Sequence, residues 1–129
     1  MNIGIIGLGR MGANMARRLA RGGAHVVAWD REHAAYAGLR DEPRVECVES
    51  LNALATRLDD ERVILLMLPA GEATQGTIEA LLPMMSAGDT LVDGGNAYYK
   101  DSMRRAIELS QKGMRFVDAG VSGGVHGLA

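Results

Sequence analysis

The chain predicts an α/β fold built on a doubly wound, mostly parallel sheet. Three observations lead there. Short apolar runs alternate with helical patterns along the whole length, glycines at positions 7, 9 and 12 directly follow the first run, and an acidic residue, Asp30, closes the second. Strands alternating with helices imply right-handed crossovers and parallel pairing.

The first strand is read at residues 3–6, and a helix follows from about residue 11 to residue 21, where Gly22-Gly23 stops it. Residues 25–29, ending on Trp29, form the second strand. Residues 44–48, after Pro43, form a weaker third strand, and Ser50 is a good N-cap for a helix to about residue 58. Residues 63–68 are continuously apolar, as a central parallel strand should be. The helix read over residues 72–85 meets Pro83 near its end, a reason to stop or kink. Residues 90–93 form the fifth strand; Asp101 caps a helix over 102–112 that Gly113 stops; residues 115–118 form the sixth. With no internal repeat, low-complexity tract or linker, residues 1–129 read as one domain. Six strands in this order fit the arrangement 3-2-1-4-5-6, which reverses between the first and fourth strands.

The glycines define chemistry because each answers a different steric demand. Gly7 permits the tight turn out of the strand, Gly9 lets backbone approach a pyrophosphate, and Gly12 lets the helix pack on the strand. A pyrophosphate would sit on the free N–H groups at the helix N-terminus, with Gly7, Leu8, Gly9, Arg10, Met11 and Gly12 as its seat. The motif is that of a dinucleotide-binding unit. Asp30 lies near the roughly 20-residue offset of the carboxylate that hydrogen-bonds a ribose 2′-hydroxyl. A 2′-phosphate there would meet this carboxylate and Glu32, so NAD is favoured over NADP. Arg31 dissents: its guanidinium can stack on adenine, pair with a 2′-phosphate or simply be solvated.

Composition narrows the partners. A chain of 129 residues is large enough for a core but small for an enzyme that must also hold a substrate. A net charge of −2 gives no field for nucleic acid or anionic membrane. The single Cys47 and the lack of a targeting or membrane-length apolar run point to a cytoplasmic protein. His25, His33 and His126 show no metal-ligand spacing, so no metal is expected.

In such sheets ligands bind outside the carboxyl ends of the strands. Two segments falling there are rich in glycine and small polar groups, Asp93-Gly94-Gly95-Asn96 and Gly120-Val121-Ser122-Gly123-Gly124. They read either as turn residues or as contacts to cofactor or substrate. Lys100, with Tyr98 and Tyr99 beside it, reads as a solvated cation or a general base, and His126 as a substrate contact or a tail residue. Trp29 is expected under the adenine side. The eight methionines form no helical stripe and read mostly as gap-filling core residues.

Taken together, Gly7-Leu-Gly-Arg-Met-Gly-Ala-Asn14-Met, Leu91-Val-Asp-Gly-Gly-Asn96, Tyr99-Lys-Asp-Ser-Met-Arg-Arg105 and Val121-Ser-Gly-Gly124 resemble the Rossmann-type N-terminal domain of decarboxylating 6-phosphogluconate dehydrogenase. The resemblance covers essentially the entire chain. It is closest to the shorter, often NAD-linked bacterial form, because Asp30 stands where the NADP-linked form typically carries Asn. The 3-hydroxyisobutyrate and tartronate semialdehyde dehydrogenases share parts of the pattern, but usually have Pro at Asn14 and Ser or Thr at Gly95-Asn96.

The resemblance implies oxidation of 6-phosphogluconate by hydride transfer to the nicotinamide, followed by decarboxylation to ribulose 5-phosphate. It places Asn96 between nicotinamide and substrate, and Ser122, Gly123 and Gly124 against the sugar acid. Leu68, Pro69 and Ala70 would pack along the dinucleotide. The family's lysine base and glutamate acid lie beyond Ala129, so no catalytic residue is assigned in this chain, nor is the helical domain that completes the homodimer. The chain is therefore expected to be a fragment of a longer enzyme that binds NAD without turning over substrate. A non-catalytic nucleotide-sensing module and a different β-hydroxyacid dehydrogenase are the competing readings.

Overall fold

Alternation along the first strand sends Ile5 and Ile6 to opposite sides, and both are fully buried, so the sheet must be covered on both faces. The computed structural model, which describes residues 2–68, 72–94 and 99–119, shows how. Six strands, β1 (Asn2–Ile6), β2 (His25–Trp29), β3 (Val45–Cys47), β4 (Val63–Leu66), β5 (Thr90–Asp93) and β6 (Arg115–Asp118), pair in parallel in the order β3-β2-β1-β4-β5-β6. This is the expected doubly wound order, with its reversal between β1 and β4.

One face is covered by α1 (Arg10–Arg21) and a 3₁₀ helix, His33–Leu39; its core joins Ile5, Met15, Ala16, Val26, Ala28, Tyr36, Leu39 and Leu65. The other is covered by α2 (Leu51–Arg57), α3 (Glu72–Leu81) and α4 (Tyr99–Gln111), and joins residues such as Ile6, Val27, Leu54, Leu66, Ile78 and Leu109. Each fully buried Leu or Ile contributes about 1.5–3 kcal/mol relative to exposure.

Several boundaries differ from the sequence reading. Ser50 caps α2 as expected, its Oγ accepting from Ala53 N at 3.0 Å. Pro83 does end α3: the helix stops at Leu81 and continues as a short 3₁₀ turn, Leu82–Met84. Asp101 is not the cap of α4. That helix begins at Tyr99, and Asp101 lies in its first turn, because neither Tyr99 nor Lys100 breaks a helix. β4 ends at Leu66, before Met67 and Leu68. The third strand is confined to Val45–Cys47.

At the amino ends of β4 and β5, away from the reversal edge, Asp89 is fully buried and accepts from Arg62 N at 2.7 Å, Ser86 N at 2.8 Å and Arg62 Nη1 at 3.1 Å. The carboxylate is a structural tie, not a site. Cys47 is half-buried in β3, and burial pushes its thiol up, which keeps it protonated near neutral pH. No helix among the described residues is long and apolar enough to cross a membrane.

Candidate functional site

The turn that leaves β1 is built for backbone access. Gly7 adopts φ +96°, in the left-handed region, and a Cβ there would lie 2.5 Å from the Met67 carbonyl oxygen. A Cβ at Gly12 would collide with the Gly7 carbonyl oxygen, so this glycine lets α1 press against the turn. Gly9 is different: its φ of −62° suits any residue, and a Cβ there would meet nothing within 4 Å. The open space lies where α1 starts.

That helix N-terminus is poised for an anion. Gly9 is the N-cap, no side chain caps the helix, and no acidic residue lies in its first turn, while Arg18 and Arg21 complement the far end. The first backbone N–H groups of α1 therefore carry no side-chain cap, with Arg10 and Met11 exposed beside them. Such a cradle fits a pyrophosphate.

Asp30 follows β2 directly and stands next to the loop. Its Oδ2 accepts from Leu8 N at 2.6 Å and its Oδ1 from Glu32 N at 2.7 Å, both at charge-assisted distances. Its own backbone N–H donates to Tyr36 Oη at 3.2 Å, and that hydroxyl donates to the Val48 carbonyl at 2.7 Å. Burial pushes the Tyr36 phenol up, so it remains a donor at physiological pH. Tyr36 also stacks on His33, with ring centroids 4.9 Å apart. Arg31 and Glu32 are exposed beyond Asp30, at the place expected for the adenosine half.

Three side chains find partners that spacing alone does not give. Trp29 is half-buried against the cluster that holds Val27 and Leu54, on the α2 face, and its Nε1 donates to the Glu49 carbonyl at 3.3 Å. It packs toward α2, because it shares a strand face with Val27. Tyr36 was not singled out at all, since the 3₁₀ helix carrying it is too short for a periodic signal. Leu68 packs partly buried against the same cluster as Trp29.

At the end of β5 sits a charge pair that spacing did not disclose. Asp93 and Arg105 are each almost completely buried, 1% and 2% exposed, with Arg105 Nη1 3.8 Å from Asp93 Oδ2. Arg105 Nε donates to Gln75 Oε1 at 3.0 Å, which ties α4 to α3. Ala119 N and Gly94 N extend the ladders here, donating to the Asp93 and Leu66 carbonyls at 2.9 and 2.8 Å. This pair braces the strand end from which Gly94 leads toward Asn96. The positions named for Pro69, Ala70, Asn96, Tyr98, Ser122, Gly123, Gly124 and His126 lie outside the described residues, as do the side chains of Tyr99 and Lys100. Among the described residues no group of three His, Cys, Asp or Glu side chains could hold a metal ion.

A parallel sheet reversing between β1 and β4, with an open glycine turn and a carboxylate after β2, defines a dinucleotide-binding domain. Residues 2–129 match the family described as the NAD binding domain of 6-phosphogluconate dehydrogenase, and the chain belongs to that family. It is 42% identical over 130 residues to the decarboxylating 6-phosphogluconate dehydrogenase of Haemophilus ducreyi, covering 98% of this chain and 27% of that protein. It is 41% identical to the NADP(+)-dependent decarboxylating enzyme of Bacillus subtilis, covering 97% of this chain and 27% of that protein. The chain thus spans about a quarter of the length of these relatives, 27% in each case.

Solved structures agree. The Plasmodium falciparum 6-phosphogluconate dehydrogenase, described with its cofactor NADP+ and its substrate 6-phosphogluconate, superposes with a TM-score of 0.88 at 28% identity, over 98% of this chain and 28% of that one. The Mycobacterium tuberculosis 3-hydroxyisobutyrate dehydrogenase gives 0.84 at 27% identity, over 97% of this chain and 42% of that one.

Proposed function

We propose that this chain is the cofactor domain of an enzyme that oxidises and decarboxylates 6-phosphogluconate, and that its cofactor is NAD. The observation that carries the reading is the open, uncapped N-terminus of α1 at Gly9 with the Asp30 carboxylate beside it. The bound nicotinamide would supply a hydride acceptor. The chain's own residues do the holding. Backbone N–H groups of α1 seat the pyrophosphate, and lone pairs of Asp30 left over from its two backbone donors accept from ribose hydroxyls. Asp30 and Glu32 together disfavour a 2′-phosphate, and this supports NAD although relatives that use NADP+ share the fold. Asn96, Ser122, Gly123 and Gly124 are proposed as the substrate edge, and Leu68, Pro69 and Ala70 as the strip along the dinucleotide. A cytoplasmic location and a homodimer of the longer enzyme complete the reading.

Calorimetric titration of the protein with NAD and with NADP tests the cofactor. NAD should bind more tightly, and Asp30→Ser with Glu32→Lys should weaken it by about ten- to a hundredfold while moving the ratio toward NADP. Wild-type protein that binds NADP at least as tightly as NAD would overturn the preference and make Arg31 the dominant group.

The 129-residue polypeptide produced by itself is expected to bind cofactor and to form no reduced nicotinamide with excess 6-phosphogluconate. Positioned acid–base groups contribute about 10² to 10⁴ each and substrate positioning more. The relatives carry nearly three quarters of their length outside the region matched here. Turnover that disappears in Lys100→Ala would reverse this and identify Lys100 as the base.

A further inference from the structure

We propose that Asp30 is a positioning residue as well as a ribose ligand: its carboxylate latches the glycine turn, so the group that selects the adenosine end also sets the pyrophosphate seat. The inference rests on the cofactor reading above, but its first observable does not.

The geometry is that of a strand ladder completed by a side chain. β1 and β2 pair in register up to Ile6 and Trp29, and Gly7 N continues the ladder by donating to the Trp29 carbonyl at 3.0 Å. The next amide, Leu8 N, finds Asp30 Oδ2 at 2.6 Å in place of a backbone carbonyl. Leu8 is 3% exposed, with its side chain in the α1-face core, so side chain and amide together fix the residue between Gly7 and Gly9. The second oxygen is held by Glu32 N, and the main chain of Asp30 is braced through Tyr36 to Val48 at the end of β3. A carboxylate needed for ribose alone would have no reason to take a backbone donor on each oxygen. With about four lone-pair sites, a carboxylate can do both.

The roles separate in two substitutions. Asp30→Ala removes charge and acceptor together; Asp30→Asn removes the charge but keeps one oxygen for the Leu8 amide. Hydrogen exchange at Leu8 is followed by NMR in the ligand-free protein, with thermal unfolding to check the fold, and NAD and NADP are then titrated into each variant. The latch predicts that Asp30→Ala speeds Leu8 exchange by roughly tenfold or more and weakens both cofactors, NADP included. It predicts that Asp30→Asn keeps the Leu8 amide protected and binds NADP more tightly than wild type. Unchanged Leu8 exchange in Asp30→Ala, or NADP binding as tight in Asp30→Ala as in Asp30→Asn, overturns the latch. If wild-type protein binds neither cofactor, the cofactor reading fails, and the exchange measurement alone decides the latch.

Discussion

Gly9→Val is expected to abolish NAD binding while leaving the protein folded. Valine at this position meets no steric obstacle in the free protein: φ is −62° and ψ −173°, an extended conformation open to L-residues, and a Cβ would have no heavy atom within 4 Å. That empty space is the approach to the first N–H groups of α1, and an isopropyl group fills it. Holding the pyrophosphate off those donors forfeits charge-assisted hydrogen bonds worth about 1.5–3 kcal/mol each, so loss of two suffices to take affinity below detection. The neighbouring glycines should behave in the opposite way. Gly12→Ala would drive a methyl into the Gly7 carbonyl, and Gly7→Ala would combine a positive φ of 96° with a clash on Met67. Both should destabilise the fold by about 1–3 kcal/mol or more. Calorimetry with NAD and thermal unfolding of the three variants decide the matter. Wild-type NAD affinity in Gly9→Val would place the pyrophosphate elsewhere, and an unchanged melting temperature in Gly12→Ala would contradict the packing.

The glycine turn was legible in sequence because its constraint is local: three residues without Cβ, at fixed spacing, after an apolar run. Strand order followed from the same logic, since parallel pairing and right-handed crossovers leave few alternatives. Trp29 shows a signal that strand alternation alone supplies. Alternation in β2 puts Val26 and Ala28 on the α1 face, and Val27 and Trp29 on the α2 face, so the tryptophan belonged under α2. Tyr36 had no comparable signal. Its 3₁₀ helix spans only His33–Leu39, and its tie from Asp30 to Val48 joins residues brought together by the sheet and not by the chain. The start of α4 was misplaced for a further reason. Asp101 has the chemistry of a cap, but capping propensity does not say which turn comes first when the residues before it also tolerate helix. Asp30 was legible as a position; that its oxygens already hold two backbone amides could only come from the fold.

The pair at the end of β5 sets the remaining large effect: Arg105→Met is expected to destabilise the protein by about 3–5 kcal/mol, a large share of the stability of a small domain. Methionine approximates the length of the arginine stem, so packing changes little and the lost guanidinium dominates. What remains is the Asp93 carboxylate, 1% exposed, without the buried cation that stood 3.8 Å from its Oδ2. The Gln75 Oε1 atom loses its donor as well, which loosens α3 from α4. Asp93→Asn combined with Arg105→Met removes both charges, and should recover more than half of the loss, because a neutral amide costs far less to bury than a carboxylate. Urea unfolding of the wild type, the single and the double variant measures this directly. The consequence reaches the site, since the Asp93 carbonyl holds Ala119 and the next residue, Gly94, opens the segment leading to Asn96. Weaker NAD binding should therefore accompany the stability loss in Arg105→Met and be partly restored in the double variant. A loss below about 1 kcal/mol in Arg105→Met would mean that the pair contributes no more than an exposed ion pair does.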